Sequence, residues 1–231
     1  MPNLIVTGAN RGIGLEYVQQ YASAGWTVHA TCRQPEKATA LTTIKGDVTI
    51  HALDVSNISD IQSLAIHINH PFDVVIANAG IMGGANKPRG AGQQFGSLDY
   101  AAWLEVLQIN TLSAVATCEA FVPHLRKGQM KKLVATTSLM GSIEDASGGF
   151  TAYRSSKTAL NMAMSLAAFD LQQDGIAVGV LHPGWVKTDM GGESAPTSVT
   201  ESVSGMRDVI TSLTPGPKAV FKDFTGKTLP W

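Results

Sequence analysis

Leu4-Ile5-Val6-Thr7-Gly8-Ala9-Asn10-Arg11-Gly12-Ile13-Gly14 decides how this chain is read. Three successive apolar residues make a short buried strand, and the glycines after them permit a tight turn into a helical stretch that runs to about Ala24. Gly8, Gly12 and Gly14 are spaced GxxxGxG, not GxGxxG. Such a turn lets the backbone approach a pyrophosphate at a helix N-terminus, where free N–H groups favour an anion. No Lys-Ser/Thr pair closes it, which removes a nucleotide-hydrolysing P-loop. Taken alone, the spacing also suits a plain strand–helix turn.

The same alternation continues along the chain. Apolar runs at Trp26 to Thr31, Val48 to Leu53, Phe72 to Ala77, Lys132 to Thr137 and Ile176 to Leu181 are separated by helical patterns. Those helices are expected near Glu36 to Leu41, Ser59 to Asn69, 97–126, 149–174 and Glu201 to Leu213. Runs with little polar alternation, spaced by helices, indicate an α/β domain: a doubly wound parallel sheet of about seven strands with helices on both faces. No linker, repeat or charge block divides residues 1–231, so a single domain is expected. Two Gly/Pro-rich stretches, 81–97 and 183–198, follow strand ends, where open α/β sheets bind ligands. The second leads into a substrate loop expected over about 183–213.

Composition narrows the partners. Apolar residues make up 44% and charged residues 15%, so much of the chain is buried in a core or against other subunits. A net charge of −1 argues against a broad nucleic-acid or anionic-membrane surface. Cys32 and Cys118 form no CxxC pair, so neither a disulfide framework nor a metal site is expected. The chain enters a strand at once and has no run of 18 apolar residues, which implies a cytoplasmic protein without a membrane segment.

Three further features concern chemistry. The second strand ends Thr31-Cys32-Arg33, with Arg33 where an acid would otherwise bind a ribose 2′-hydroxyl. Arg33, with Arg11 from the turn, suits a 2′-phosphate and points to NADP(H). Tyr153 and Lys157 lie one helical turn apart in Tyr-Arg-Ser-Ser-Lys. A free phenol has a pKa near 10, and a close ammonium favours phenolate, which fits proton exchange with a carbonyl or alcohol oxygen. A lone YxxxK is common by chance and gains weight only in company. Ser138 ends the fifth strand, either as a substrate-binding hydroxyl or as an ordinary loop cap. Asn110 shares a stripe with Trp103, Leu107, Ala114 and Phe121 and is expected to face the sheet, as a kink, a water site or part of a proton relay.

Together these residues resemble the classical short-chain dehydrogenase/reductase family, over essentially the whole chain. The resemblance rests on the Thr7–Gly14 turn, Asp54-Val55, Asn78-Ala79-Gly80, and Pro183-Gly184-Trp185-Val186-Lys187-Thr188. It makes Asn110, Ser138, Tyr153 and Lys157 the catalytic set. It also implies cofactor contacts from Gly8, Asn10, Arg11, Gly12, Ile13, Gly14, Arg33, Asp54, Val55, Asn78, Ala79, Gly80, Tyr153, Lys157, Pro183, Gly184, Val186 and Thr188. Ala30-Thr31-Cys32-Arg33, the Trp185–Gly192 run and the terminal Gly226–Trp231 resemble the carbonyl-reductase branch that includes sniffer and C-factor proteins. One departure is the 15-residue spacing from Ser138 to Tyr153, about two more than usual, with Ser142 nearer the tyrosine.

The expectation is an NADPH-dependent reductase of aldehydes or ketones, with a low-turnover NADP(H)-binding signalling protein as the alternative. Met140, Phe150, Trp185 and Met190 are expected to border an apolar substrate pocket, unless they pack the lid on itself. The helix over 149–174 is apolar nearly all round, and family members pair it across a two-fold axis. A homodimer is the first expectation and a tetramer the second.

Overall fold

The computed structural model describes residues 1–84 and 90–231. The centre of the Gly-rich stretch expected over 81–97 lies outside the described residues. In chain order the elements are β1 (Asn3–Val6), α1 (Gly12–Ser23), β2 (Thr27–Cys32), α2 (Thr39–Thr42), β3 (Val48–Ala52), α3 (Ile58–His67) and β4 (Val74–Ala77). They continue with α4 (Tyr100–Leu107), α5 (Ser113–Lys127), β5 (Lys132–Thr136), α6 (Thr151–Leu171), β6 (Ala177–His182), α7 (Val199–Ser212) and β7 (Val220–Asp223). All seven strands join one parallel sheet in the order β3-β2-β1-β4-β5-β6-β7. The order reverses between β1 and β4, so the strand ends open a crevice there.

Strand alternation sorts the core into two layers. Leu4 and Val6 of β1 face α1 and α7 with Tyr17, Val203, Met206 and Ile210. Ile5, between them, faces α3, α5 and α6 with Phe72, Phe121, Leu125 and Leu160. Each such side chain taken fully out of water contributes about 1.5–3 kcal/mol, which explains the near-continuous apolar strands.

The structure differs from the sequence expectation at four places. The brief helix expected near Glu36 divides into a 3₁₀ turn at Pro35–Lys37 and the short α2. The long helix expected from residue 97 starts at Tyr100, because the Asp99 carboxylate accepts from the Ala102 N–H and caps it. That helix is also divided: Gln108–Leu112 form a π-helical turn between α4 and α5. The seventh strand, β7, lies beyond the six apolar runs and is only four residues long.

After β7 the chain doubles back. The Asp223 carboxylate accepts from the Thr225 and Lys227 N–H groups, and the Leu229 N–H then donates to the Phe221 carbonyl. Trp231 packs against Phe221 with its ring tilted by 46°, and its main-chain oxygen accepts from the Ser142 hydroxyl and the N–H groups of Ile143 and Glu144. The tail thus grips the loop that follows β5. No helix among the described residues is long and apolar enough to cross a membrane.

Candidate active site

The Gly-rich turn is built for a close approach. Gly8 has φ +67°, and a Cβ there would lie 2.9 Å from the Ala79 Cα. A Cβ on Gly14 would lie 2.2 Å from the Gly8 carbonyl oxygen, so the first turn of α1 packs directly on the strand end. Arg11 occupies the N-cap of α1 in an extended conformation and makes no side-chain cap, while Asn10 is exposed and Ile13 half-buried beside it. The leading N–H groups of α1 therefore receive no cap from Arg11, an arrangement that suits an anion.

Asn78 fixes this turn to the sheet. Its N–H donates to Thr7 Oγ1 at 3.0 Å, its Nδ2 donates to the Thr7 carbonyl at 3.0 Å, and its Oδ1 accepts from Thr136 Oγ1 at 3.2 Å. The Ala79 N–H shares the Thr7 hydroxyl at 3.1 Å. β1, β4 and β5 are thereby locked at their C-terminal ends, where Asn78, Ala79 and Gly80 line the crevice. On the β2–β3 side, Arg33 is exposed just beyond Cys32. Asp54 is also exposed, and its Oδ1 accepts from the Ser56 N–H and hydroxyl, with Val55 half-buried between them.

The β5–α6 side carries the titratable groups. Tyr153 and Lys157 are 6% and 3% exposed and lie on the inner face of α6. Lys157 Nζ donates to the Thr136 carbonyl at 2.8 Å and sits 5.8 Å from the centre of the Tyr153 ring. Burial lowers the Lys157 pKa to about 8. Ser138, at the exit of β5, accepts from the Met140 N–H and caps the 3₁₀ turn Leu139–Gly141. That turn packs on α6: a Cβ on Gly141 would lie 2.9 Å from Lys157, and Thr158 Oγ1 donates to the Gly141 carbonyl at 2.9 Å. The rival hydroxyl, Ser142, donates to the Trp231 main-chain oxygen and accepts from the Asp145 N–H, which commits it to the loop.

Asn110 is fully buried within the π turn, so the inward orientation expected from its stripe is observed. Its Oδ1 accepts from the Ile81 N–H at 2.8 Å, and its Nδ2 donates to the Ile81 carbonyl at 2.8 Å and to Ser156 Oγ at 3.0 Å. A π turn shifts the following helix by one residue, and such turns recur at functional sites. Gly80 stands between Asn110 and Lys157, with its missing Cβ position 3.2 Å from Asn110 Oδ1 and 3.6 Å from Lys157 Nζ.

The segment after β6 closes the remaining side. Pro183 and Val186 are buried, Gly184 and Thr188 half-buried, and Thr188 Cγ2 lies 3.3 Å from where a Gly12 Cβ would be. Of the four expected pocket residues, Met140 and Phe150 are half-buried, whereas Trp185 and Met190 are exposed at 49% and 38%. Trp185 Nε1 donates to the Gly191 carbonyl at 2.7 Å. Three connections escaped the sequence reading. Arg11 pairs with Asp189, Ser156 bridges Asn110 to the Tyr153 carbonyl, and Gln93 contacts the start of α6. Ser156 stood in view inside Tyr-Arg-Ser-Ser-Lys, while nothing local marks Asp189 or Gln93.

Comparison with known proteins places the fold among relatives. The family model described as short chain dehydrogenase matches residues 2–198. The curated protein C-signal of Myxococcus xanthus is 40% identical over 162 residues, covering 70% of this chain and 93% of its own length. Among solved structures, the carbonyl reductase Sniffer of D. melanogaster superposes with a TM-score of 0.87 at 30% identity, covering 100% of both chains. NADPH-bound carbonyl reductase from chicken fatty liver gives a TM-score of 0.87 at 31% identity, covering 100% of this chain and 99% of its own.

Proposed function

The chain belongs to the short-chain dehydrogenase family, and from that premise we propose that it is an NADPH-dependent oxidoreductase that reduces an aldehyde or ketone to the alcohol. The observation that carries this reading is the buried Lys157 ammonium beside Tyr153 on α6, facing the strand end that bears Ser138. The uncapped start of α1 and the Cβ-free turn at Gly8 and Gly14 fit a pyrophosphate. Arg33 and Arg11, both exposed at the ends of β2 and the turn, fit a 2′-phosphate. NADPH supplies the hydride when bound.

Tyr153 donates its hydroxyl proton to the substrate oxygen as the carbonyl becomes an alcohol. Ser138 hydrogen-bonds the same oxygen and polarises it. Lys157, with a pKa of about 8, remains mostly protonated at pH 7 and keeps a positive charge beside the phenol. It also holds the nicotinamide ribose. Asn110 keeps Gly80, Ile81 and α6 in register around the site of the relay water that reprotonates Tyr153. Asp54 and Val55 would contact the adenine, Asn78 to Gly80 would line the cofactor, and Val186 and Thr188 would secure the carboxamide. Met140, Phe150, Trp185 and Met190 border the substrate within the loop over about 183–213, and their apolar character favours a hydrophobic carbonyl compound.

The test is NADPH consumption over a panel of aldehydes, ketones and diketones, with NADH as comparator and Tyr153→Phe as control. General acid catalysis is worth about 10²–10⁴-fold, so Tyr153→Phe loses at least that factor while still binding NADPH. Near-normal turnover in Tyr153→Phe refutes the assignment, and equal use of NADH refutes the cofactor preference. Similarity to C-signal favours a second reading, a low-turnover NADP(H)-binding signalling protein, which NADPH binding without turnover on the whole panel would support.

Assembly follows the same reasoning. Leu104, Leu112, Met162, Leu166 and Phe169, on α4 to α6, are each at least half exposed. This apolar surface favours a homodimer through these helices, or a tetramer that retains the same pair. A sedimentation mass of one chain at micromolar concentration overturns the pairing.

A further inference from the structure

We propose that Gln93 is a positioning residue for Tyr153, setting the place of its main chain from a loop sixty residues away. The proposal rests on the reading of Tyr153 as the proton donor. Its origin is the unusual start of α6. Phe150, in the N-cap position, has φ 55° and ψ 36°, a left-handed conformation rare for a bulky residue, and its ring has no oxygen with which to cap. The first N–H groups of any helix need partners from outside it. Here Gln93 provides them: its main-chain oxygen accepts from the Thr151 N–H at 3.0 Å, and its Oε1 accepts from the Tyr153 N–H at 3.0 Å.

The other end of the same side chain is equally engaged. Gln93 Nε2 donates to the Met82 carbonyl at 2.6 Å, and the residue is only 2% exposed. Met82 follows Ile81, whose N–H and carbonyl are both held by Asn110. Asn110 in turn donates to Ser156 Oγ, which donates to the Tyr153 carbonyl at 2.7 Å. The peptide groups on either side of Tyr153 are therefore both restrained: the N–H by Gln93 and the carbonyl through Ser156 and Asn110. The two arms meet at Ile81–Met82, immediately after the crevice-lining Asn78–Gly80. A closed ring of hydrogen bonds ties the phenol's backbone to the segment that lines the cofactor crevice.

This ring explains why an amide of this length stands at position 93. The residue must accept from Tyr153 and donate to Met82 at once, which Gln does and Glu or Leu does not. It is held in turn by its neighbours, since the Gly92 carbonyl accepts from the Asp99 N–H at 2.9 Å, anchoring the segment at the start of α4. A general helix cap is worth stability alone, wherever the helix leads. A contact made to the catalytic residue's own peptide controls where the phenol sits, and a misplacement of about 1 Å is enough to cost about 10²-fold in rate.

The experiment compares Gln93→Ala and Gln93→Glu with the parent in kcat, KM for the carbonyl, NADPH Kd and the pH dependence of kcat. Gln93→Ala is expected to lower kcat by about 10–100-fold with NADPH Kd changed less than about twofold. Gln93→Glu keeps the acceptor for the Tyr153 N–H but loses the donor to the Met82 carbonyl, so its kcat stays below the parent's. Its carboxylate disfavours phenolate, so the alkaline limb of its profile, where the protonated donor is lost, moves to higher pH. Unchanged kcat in Gln93→Ala overturns the proposal. So does a fall in kcat matched by an equal loss of NADPH affinity, or a Gln93→Glu enzyme as fast as the parent. Tyr153→Phe separates the two levels of argument: high activity there refutes the proton donor itself, whereas an inactive Tyr153→Phe beside a normal Gln93→Ala refutes only the positioning role.

Discussion

Replacing Asn110 by Ala tests the hydrogen-bonded centre of the site most directly. The substitution leaves the Ile81 N–H and carbonyl without their partners at 2.8 Å and removes the donor to Ser156, all around a side chain with no solvent exposure. A buried polar group left unsatisfied costs about 1–3 kcal/mol, so the two Ile81 groups together cost about 2–6 kcal/mol. A water entering the vacated space satisfies part of that demand, which places the net loss near 3 kcal/mol. For a chain of this size each kcal/mol lowers Tm by about 2–4 °C, so a fall of about 10 °C is expected in thermal unfolding followed by circular dichroism. Asn110→Asp, nearly identical in shape, keeps the acceptor for the Ile81 N–H but turns an oxygen toward the Ile81 carbonyl, so it does not restore the parent's Tm at neutral pH. A loss below about 1 kcal/mol in Asn110→Ala, or full recovery in Asn110→Asp, refutes the claim that this amide holds the β4 exit to α6.

Two further outcomes follow from the electrostatics. Lys157 has a folded-state pKa of about 8, below its ordinary value of 10.5, so between those pH values the unfolded chain keeps a proton that the folded chain has released. The parent should therefore gain stability relative to Lys157→Met as pH rises through that window, by at most about 3 kcal/mol. Parallel stability curves for the two proteins would contradict the burial of the ammonium. Asp189→Asn frees Arg11 from its ion pair; because both side chains are largely exposed, the pair is worth no more than about 1 kcal/mol, and NADPH binding should tighten by up to about fivefold at low salt and not at 1 M. Weaker NADPH binding in that variant would show that Asp189 does not compete with the cofactor for Arg11.

The parts of this molecule visible in its sequence are those written locally. The apolar runs mark six of the seven strands because a sheet covered on both faces has no polar side to alternate with. The turn at Gly8–Gly14 and the Tyr153–Lys157 pair are legible for the same reason: each needs fixed residue types at short spacing. β7 escapes because four residues, Val220–Asp223, carry too little pattern to stand out between turns. The π turn at Gln108–Leu112 escapes because its residues suit an ordinary helix equally well; tertiary packing of Asn110 selects the wider turn. Asp99 shows the opposite case, an acidic N-cap that was readable and fixes the start of α4 three residues beyond the expected boundary. Contacts between distant segments, such as Arg11 with Asp189 or Gln93 with Tyr153, have no local signature at all.

The hairpin arm behind β7 gives one element two duties. Lys227–Leu229 lies along β7, the outermost strand on that side, and occupies hydrogen-bonding groups that would otherwise offer a template to another chain's strand. The same arm ends in the main-chain oxygen that Ser142, Ile143 and Glu144 hold, within the wall beside Ser138. Substitutions in that loop are thus expected to loosen the guard on the sheet's edge. Changes in this loop are therefore expected to show as edge-to-edge association of the sheet as well as altered activity.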